Sequence, residues 1–396
     1  MTQNFWSWFK IKYSSIVNSI AFIPAFIAIS FLGIAVGMIF FDYSETGKNL
    51  KKEFGWLSLN DATTARSIIQ SIVTGIISLA VFSFTMVMIV LNQAASNMSN
   101  RVLDKLIGNR FQQIILGIYL GTIVYGLSVL TTIRDIDDGI YVPALSTYFL
   151  ILLTVIDIFL FIYFLHYITQ SVKYGTIIRR ICSQTKESMK NTCTLVKDPE
   201  DIEIAVHGIP VGAKNSGIYE GFEEKALLKI AEKENVVFHL LVPPGTYILK
   251  DFPFMTISSE KKVDDDNWDK ILKLIFFTDN EKIEANYTYG LRQLMEIAVR
   301  GLSPGTNDPG TAVEALRALS DLLLYRIKNR PINQLKDSEG VVRIITSQKK
   351  FEQIFEDVVY PIWHYGKKDR LIQQELMNII RQLQSFGQYP VVQRLY

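Results

Sequence analysis

Four apolar runs in the first half of the chain are each about long enough to cross the hydrocarbon core of a bilayer, which takes roughly 20 residues. They occupy residues 20–41, 68–91, 114–133 and 143–168. The first two contain no charged residue, and the fourth contains one acid, Asp157. A cleaved signal peptide is not expected, because the first run is longer than a signal core and no small-residue cleavage site follows it. The sequence therefore predicts a membrane domain of about four transmembrane helices, spanning residues 20–170.

Three further segments surround this domain. Residues 1–19 mix tryptophan, phenylalanine and lysine, which is typical of a segment lying in the lipid headgroup layer. Residues 171–200 predict a basic helical connector, and residues 201–396 predict an α+β domain that is mainly helical after residue 287. Within it, strands are predicted at 202–211, 236–242 and 247–249, and helices at 222–234, 264–272, 289–300, 311–326, 351–365 and 371–386.

The distribution of lysine and arginine predicts the side on which the termini lie, because cytosolic loops are enriched in these residues. Basic residues cluster before the first run, between the second and third, and after the fourth: Lys10, Lys12, Arg101, Lys105, Arg110, Lys173, Arg179 and Arg180. The loop between the first and second runs lies on the opposite side, and it also contains basic residues, Lys48, Lys51, Lys52 and Arg66, which makes the difference between the two sides smaller. The balance favours cytosolic termini. The predicted fold class is an α-helical membrane domain followed by a C-terminal cytosolic α+β domain.

The second apolar run carries a polar stripe along one helical face, because its hydroxyl residues recur at steps of three or four. Two interpretations remain open. Small and hydroxyl side chains allow helices to pack closely. Alternatively, in an oligomer, they can line a water-filled path and replace part of an ion's hydration shell. The candidate path-lining residues of the stripe are Ser71, Thr74, Ser78, Phe82 and Thr85.

Asp157 joins these candidates because it is the one ionisable residue well inside a predicted span. A carboxylate there is costly unless it is protonated, paired or in contact with water. Asp157 is therefore either a functional group on an ion path or a neutral acid hydrogen-bonded to a neighbouring helix.

In the second half of the chain, residues typical of turns and helix caps are most concentrated at 303–309, between two predicted helices. Asp308 fits the position that caps a helix, and Pro309 fits the first helical residue. A capped turn explains much of the motif. The functional alternative is that the backbone amides of residues 305–307 bind an anion, with positive charge from the preceding helix. The candidate ligand or structural residues are Arg300, Ser303, Gly305, Asn307 and Asp308.

Two stretches of the sequence resemble a bacterial family of predicted membrane proteins of unknown function (domain of unknown function 2254). The loop after the second run contains Ser99-Asn100-Arg101-Val102-Leu103, where the family usually has proline at the second position. The next span opens with Gln113-Ile114-Ile115-Leu116-Gly117. The later turn reads Leu302-Ser303-Pro304-Gly305-Thr306-Asn307-Asp308-Pro309, preceded by Gly301 where the family usually has alanine. The resemblance implies a bacterial inner (plasma) membrane and adds loop candidates Asn97, Ser99, Arg101 and Arg110.

Enzyme signatures are missing from the sequence. It contains neither a phosphate-binding glycine loop nor a nucleophile elbow, and its four histidines lack metal-ligand spacing. We therefore predict no catalytic residue, metal site or cofactor, and a net charge of +2 gives no reason to expect nucleic acid. The expected partners are the lipid bilayer, further copies of the chain, and a small ion or anionic ligand.

Three functions remain. The leading hypothesis is an oligomeric ion channel or transport-related protein that its cytosolic domain gates or assembles. The first alternative is a membrane-anchored sensor or scaffold that binds a ligand or partner through the cytosolic domain. The second alternative is a membrane enzyme.

Overall fold

A computed structural model describes residues 21–54, 59, 61–97, 110–136, 139–195, 208–258, 270–387 and 389–393. The predicted headgroup segment, most of the predicted helix at 264–272, and the loop candidates Ser99 and Arg101 lie outside these residues. The chain divides into two compact units, Met1–Lys173 and Tyr174–Tyr396.

In the described part of the first unit, four helices are long and apolar enough to cross a membrane. They are α1 (Phe22–Tyr43), α3 (Ala62–Asn97), α4 (Arg110–Thr132) and α5 (Ala144–Ser171). A short helix, α2 (Glu45–Glu53), follows α1, and a hairpin of β1 (Arg134–Ile136) and β2 (Gly139–Tyr141) precedes α5. The predicted fold class is confirmed at this level, since helices and sheets follow the four apolar helices. The helix α3 begins ahead of its apolar run because the Asp61 carboxylate accepts hydrogen bonds from the backbone N–H groups of Thr63 and Thr64.

Close packing between α1 and α4 depends on two glycines of α4, Gly117 and Gly121. A Cβ atom added at Gly117 would lie 2.7 Å from Cδ1 of Ile27, and one at Gly121 would lie 2.6 Å from Cγ of Phe31. Side chains at either position would therefore collide with α1. Small residues spaced by four let transmembrane helices approach closely. The hydrophobic effect does not drive helices together in lipid, so van der Waals contacts between closely packed helices stabilise their association.

The end of α1 is fastened to two other helices by the buried carboxylate of Asp42. This carboxylate accepts hydrogen bonds from the backbone N–H of Ser146 at 2.8 Å and from its hydroxyl at 2.9 Å. Lys51 of α2 donates to the same carboxylate at 2.8 Å. Ser146 lies in the first turn of α5, where backbone N–H groups have no partner within the helix and the helix dipole favours negative charge. Asp42 thus acts as a cap supplied from a distant part of the chain.

The second unit opens with α6 (Tyr174–Thr192) and contains two larger sheets and one short strand pair. The five-stranded sheet has the order β11-β12-β6-β8-β4, the three-stranded sheet has the order β7-β5-β9, and β10 pairs with β3. The strands are β3 (Cys193–Leu195), β4 (Ile209–Gly212), β5 (Gly217–Phe222), β6 (Val237–Leu240), β7 (Tyr247–Ile248), β8 (Pro253–Ser258), β9 (Ile275–Thr278), β10 (Asn329–Pro331), β11 (Gln334–Lys336) and β12 (Val342–Thr346). The remaining helices are α7 (Glu224–Glu234), α8 (Tyr287–Gly301), α9 (Pro309–Lys328), α10 (Phe351–Gly366), α11 (Arg370–Gln384) and α12 (Pro390–Gln393).

One hydrophobic core joins both larger sheets to α7. Tyr219 of β5 and Phe254 of β8 are fully buried in it, and the ring of Phe254 meets that of Phe277 edge-to-face at 5.3 Å. All pairings in these sheets are antiparallel except that of β12 with β6, which is parallel. The strands β5, β8, β9, β11 and β12 of these sheets were not anticipated from the sequence. The partners of β5 in β9 and of β12 in β6 lie far away in the chain, and local patterning does not record such pairing.

We expect Gly121→Ala to destabilise the first unit by about 1–3 kcal/mol, because the new methyl group must displace the partly buried Phe31 ring. The matched control is Gly33→Ala on α1, where an added Cβ has no atom within 4 Å. Sodium dodecyl sulfate titration of the purified chain, followed by circular dichroism, measures both. Equal midpoints for the two variants would show that α1 and α4 are not closely packed.

We expect Asp42→Asn to lower the free energy of unfolding of the first unit by about 3 kcal/mol, because it removes one partner of a buried ion pair and weakens the cap of α5. The control, Glu53→Gln, removes a carboxylate of α2 that is exposed. The same titration reports the difference between the variants. A midpoint for Asp42→Asn that matches the control would mean that the Asp42 contacts contribute nothing to stability.

Candidate functional site

Three helices of the first unit bring polar side chains together inside an otherwise apolar bundle. Ser83 of α3, Tyr119 of α4 and Asp157 of α5 are each 0% exposed. Tyr119 lies close enough to Ser83 and Asp157 to interact with both, and Thr122 lies beside the Asp157 carboxyl group. We call these four residues the Asp157 cluster. Asp157 stands at the midpoint of the 28-residue helix α5, so the cluster is far from both ends of the helix.

The polar groups of the Asp157 cluster lie close together, but they do not reach the geometry of full hydrogen bonds with one another. Among the described residues, neither carboxylate oxygen of Asp157 has a hydrogen-bond partner, nor does the hydroxyl of Ser83 or of Tyr119. The Thr122 hydroxyl donates instead to the Ile118 carbonyl at 3.1 Å. Unpaired buried polar groups of this kind are costly and are retained where they bind something.

The chemistry of the cluster suits a small hard cation. One carboxyl group and three hydroxyl groups offer only oxygen ligands, which prefer protons and alkali or alkaline-earth ions. Within the described ranges, no group of three or more histidine, cysteine, aspartate or glutamate side chains could hold a metal ion. A single carboxylate carries one negative charge, so a proton or one monovalent cation neutralises it.

The predicted polar stripe of α3 does not reach this cluster. Its five residues, Ser71, Thr74, Ser78, Phe82 and Thr85, are all exposed. The opposite face of the same helix, with Ile69, Val73, Ile76, Ser83 and Val87, is buried against the bundle. Asp157 and the stripe therefore lie on opposite sides of α3 and do not form one path within a single chain.

Two of the four hydroxyls of the stripe are bonded to the backbone of their own helix. Ser78 donates to the Thr74 carbonyl and Thr85 to the Val81 carbonyl, each at 2.9 Å. A serine or threonine side chain whose hydroxyl is bonded in this way exposes mainly its carbon atoms to its surroundings. At Gly75 an added Cβ would have no atom within 4 Å, so the glycine is not required by packing inside the chain. Phe82 of the stripe packs edge-to-face against Phe161 of α5 at 5.8 Å, while the hydroxyl side chains of the stripe are exposed on the outer face of α3.

The turn at 303–308 has the predicted cap. The Asp308 carboxylate accepts a hydrogen bond from the Thr311 N–H at 3.1 Å and another from the Thr311 hydroxyl at 2.6 Å, and Pro309 is the first residue of α9. The expectation that amides of this turn are open to an anion is wrong for two of them. The N–H groups of Thr306 and Asn307 both donate to the Ser303 carbonyl, at 3.0 and 2.9 Å.

The turn has a second structural role beside the start of α6. Burial raises the pKa of Tyr174, while Arg300 lowers it and Asp308 raises it, so both turn residues lie near this tyrosine. A Cβ at Gly175 would lie 3.1 Å from the Glu314 carboxylate of α9. Asp308 therefore lies near the first turn of α6, and Gly305 is exposed at the tip of the 303–308 turn.

The loop candidates are only partly described. Asn97 is the last residue of α3, and Arg110 begins α4 with an exposed side chain. Sequence analysis missed Ser83, Tyr119 and Thr122. Tyr119 and Thr122 are spaced by three on a predicted helix, which is a signal for one shared polar face. Ser83 is out of phase with the stripe, and that phase difference marks it as facing the other way.

Comparison with known proteins identifies relatives but no solved structure. The family described as predicted membrane protein (DUF2254) matches residues 17–382. Uncharacterized proteins from Mycobacterium bovis and from two strains of Mycobacterium tuberculosis are each 22% identical over 309 residues, covering 75% of this chain. The chain spans only 59% of the length of these relatives. No solved structure matches. The resemblance found in the loop and turn motifs is thereby confirmed, and the chain belongs to this family of predicted membrane proteins.

Proposed function

We propose that this chain is a subunit of an oligomeric ion channel or transport-related protein of a bacterial inner membrane, and that Asp157 binds the transported proton or monovalent cation. The observation that carries the proposal is the Asp157 carboxyl group, fully buried at the middle of α5 without a hydrogen-bond partner among the described residues. Ionisable groups at such depth mark ion and proton pathways in membrane proteins.

The energetics favour an exchangeable ligand at this site. A lone carboxylate in an apolar interior loses several kcal/mol of hydration free energy, which a bound cation or proton restores. The Ser83 and Tyr119 hydroxyls are not engaged elsewhere, so they are available as further oxygen ligands. The cation-binding step thus belongs to the interior of each subunit and not to the α3 stripe.

The stripe then serves assembly. A lipid-facing helix gains nothing from a row of small and hydroxyl residues, but a contacting helix of another copy can approach closely along it. The termini and the second unit lie in the cytosol in this proposal, following the lysine and arginine distribution. Only Val172 and Lys173 separate α5, which carries Asp157, from α6 of the second unit. The covalent link between α5 and α6 is therefore short.

Ion flux into liposomes that contain the purified full chain tests the role of Asp157. Internal pH and sodium are followed with dyes while a potassium gradient and valinomycin set the membrane potential. We expect measurable proton or sodium flux, and a reduction of about tenfold or more in Asp157→Asn, because the amide cannot carry the charge. Tyr119→Phe should reduce the flux less, since it removes one oxygen and keeps the ring.

The matched control for this experiment is Thr169→Val. Thr169 is an exposed residue of α5 whose hydroxyl is bonded to its own helix, so wild-type flux is expected. Wild-type flux in Asp157→Asn would exclude Asp157 as the binding group. An absence of flux from protein shown to be folded and inserted would favour the sensor or scaffold hypothesis.

The role of the stripe is tested by a matched pair of glycine substitutions. Gly75 lies beside the stripe on α3 and Gly37 lies on α1, and an added Cβ has no atom within 4 Å at either position. We expect Gly75→Leu to shift the detergent-solubilised protein towards monomer, while Gly37→Leu retains the wild-type assembly. Native mass spectrometry measures the subunit number. A monomeric wild type, or an unchanged assembly in Gly75→Leu, would contradict the proposed interface.

A further inference from the structure

The second unit contains a cavity of about 550 Å³, which is in the range of small-molecule sites. Both larger sheets contribute to its wall. Strands β5 and β9 supply one side, and the segments that follow β6 and β12 supply the other. The lining includes Tyr219, Glu220, Gly221, Phe222, Val242 and Phe276. The cavity is distinct from the turn at 303–308, none of whose residues contributes to its wall.

The charge of the wall is predominantly negative. Three carboxylates, Glu220, Glu224 and Glu284, face a single ammonium group, that of Lys282. Oε1 of Glu220 is buried and has no hydrogen-bond partner among the described residues, while Glu224 and Glu284 are exposed at the mouth. A concave site lined by one sign of charge concentrates ligands of the opposite sign.

The backbone at Glu220 has an irregularity that local packing does not require. The register of β5 against β9 shifts between Tyr219 and Gly221, which is a β-bulge centred on Glu220. Gly221 has a φ of +146°, a conformation that side chains rarely adopt, although an added Cβ would have open space around it. Bulges are frequent beside ligand sites, where they redirect one side chain. Here the bulge coincides with the buried carboxylate.

The uncharged part of the wall combines apolar and aromatic side chains with a few polar ones. Phe222 and Phe276 border the cavity together with Val242 and Pro244. Aromatic faces attract cations, and the attraction grows when the cation is removed from water. The neutral hydroxyl of Ser347 and the amide of Gln348 supply further hydrogen-bonding groups. Negative charge beside aromatic rings is the arrangement that recognises organic ammonium and guanidinium groups.

We propose that this cavity binds a small organic cation, an amine or guanidinium compound with an apolar body, whose charged end pairs with Glu220. The cavity wall also contacts α6, since the Ser188 hydroxyl donates to the Glu284 carbonyl at 3.4 Å. Binding in the cavity is thereby linked to the helix that follows α5. This assignment does not depend on ion transport and would hold equally for a sensor.

Calorimetric titration of the full chain in maltoside micelles tests the proposal, with empty micelles as the blank. The probes are 2-phenylethylamine, its neutral counterpart 2-phenylethanol and its anionic counterpart 3-phenylpropionate. We expect saturable binding of the amine only. Glu220→Gln should weaken it by about tenfold, and Glu224→Gln, at the exposed mouth, by about threefold. Glu339→Gln, which removes an exposed carboxylate outside the cavity wall, should leave it unchanged.

Three outcomes would overturn the assignment. The first is an amine that does not bind at about 1 mM, or a 3-phenylpropionate that binds as tightly as the amine. The second is an unchanged affinity in both Glu220→Gln and Glu224→Gln, where the second variant keeps the test available if the first does not fold. The third is displacement of the amine by Mg²⁺ in a Glu220-dependent manner, which would make the cavity a metal site.

Discussion

The interior of the four-helix unit is apolar, so a polar group buried in it is costly unless it forms a hydrogen bond, an ion pair or a contact with a bound ligand. Asp42 and Asp157 meet this constraint in opposite ways. Asp42 pairs with Lys51 and caps α5 through Ser146, so its charge is neutralised by the chain itself. Asp157 is equally buried but has no such partner among the described residues. The first acid belongs to the architecture, and the contrast between the two is the reason to assign the second a ligand.

The helix α3 separates two kinds of polar surface. Its inner face contributes Ser83 to the Asp157 cluster, and its outer face carries hydroxyls that bond to their own backbone. A single path combining both faces would need water on both sides of one helix. The proposed function therefore assigns cation binding to the inner face and contact between subunits to the outer face, which would keep hydrated groups away from lipid.

The sequence predicted the apolar helices and the Asp308 cap because both follow from local rules, namely apolar length and the chemistry of a helix start. It also singled out Asp157 by its position alone. Its neighbours Ser83 and Tyr119 were not found, because their proximity to Asp157 depends on how three helices are rotated about their axes. The grouping of Asp157 with the stripe on one path in an oligomer stays a prediction; within one chain, Asp157 is buried and the stripe is exposed on the outer face of α3. Helical phase within α3 was readable, but the side that faces the bundle was not.

The second unit contains two further features near α6, the turn at 303–308 and the cavity beside Glu220. In its turn at 303–308, the amides of Thr306 and Asn307 both donate to the Ser303 carbonyl, and Asp308 lies near the first turn of α6. The cavity, by contrast, has the buried and unpaired Oε1 atom of Glu220 at a β-bulge. A ligand bound there, as proposed above, would lie against a wall that contacts α6 through Ser188 and Glu284. Coupling of such a ligand to α5 would require α6 to change between two arrangements, because α6 follows α5 after only two residues.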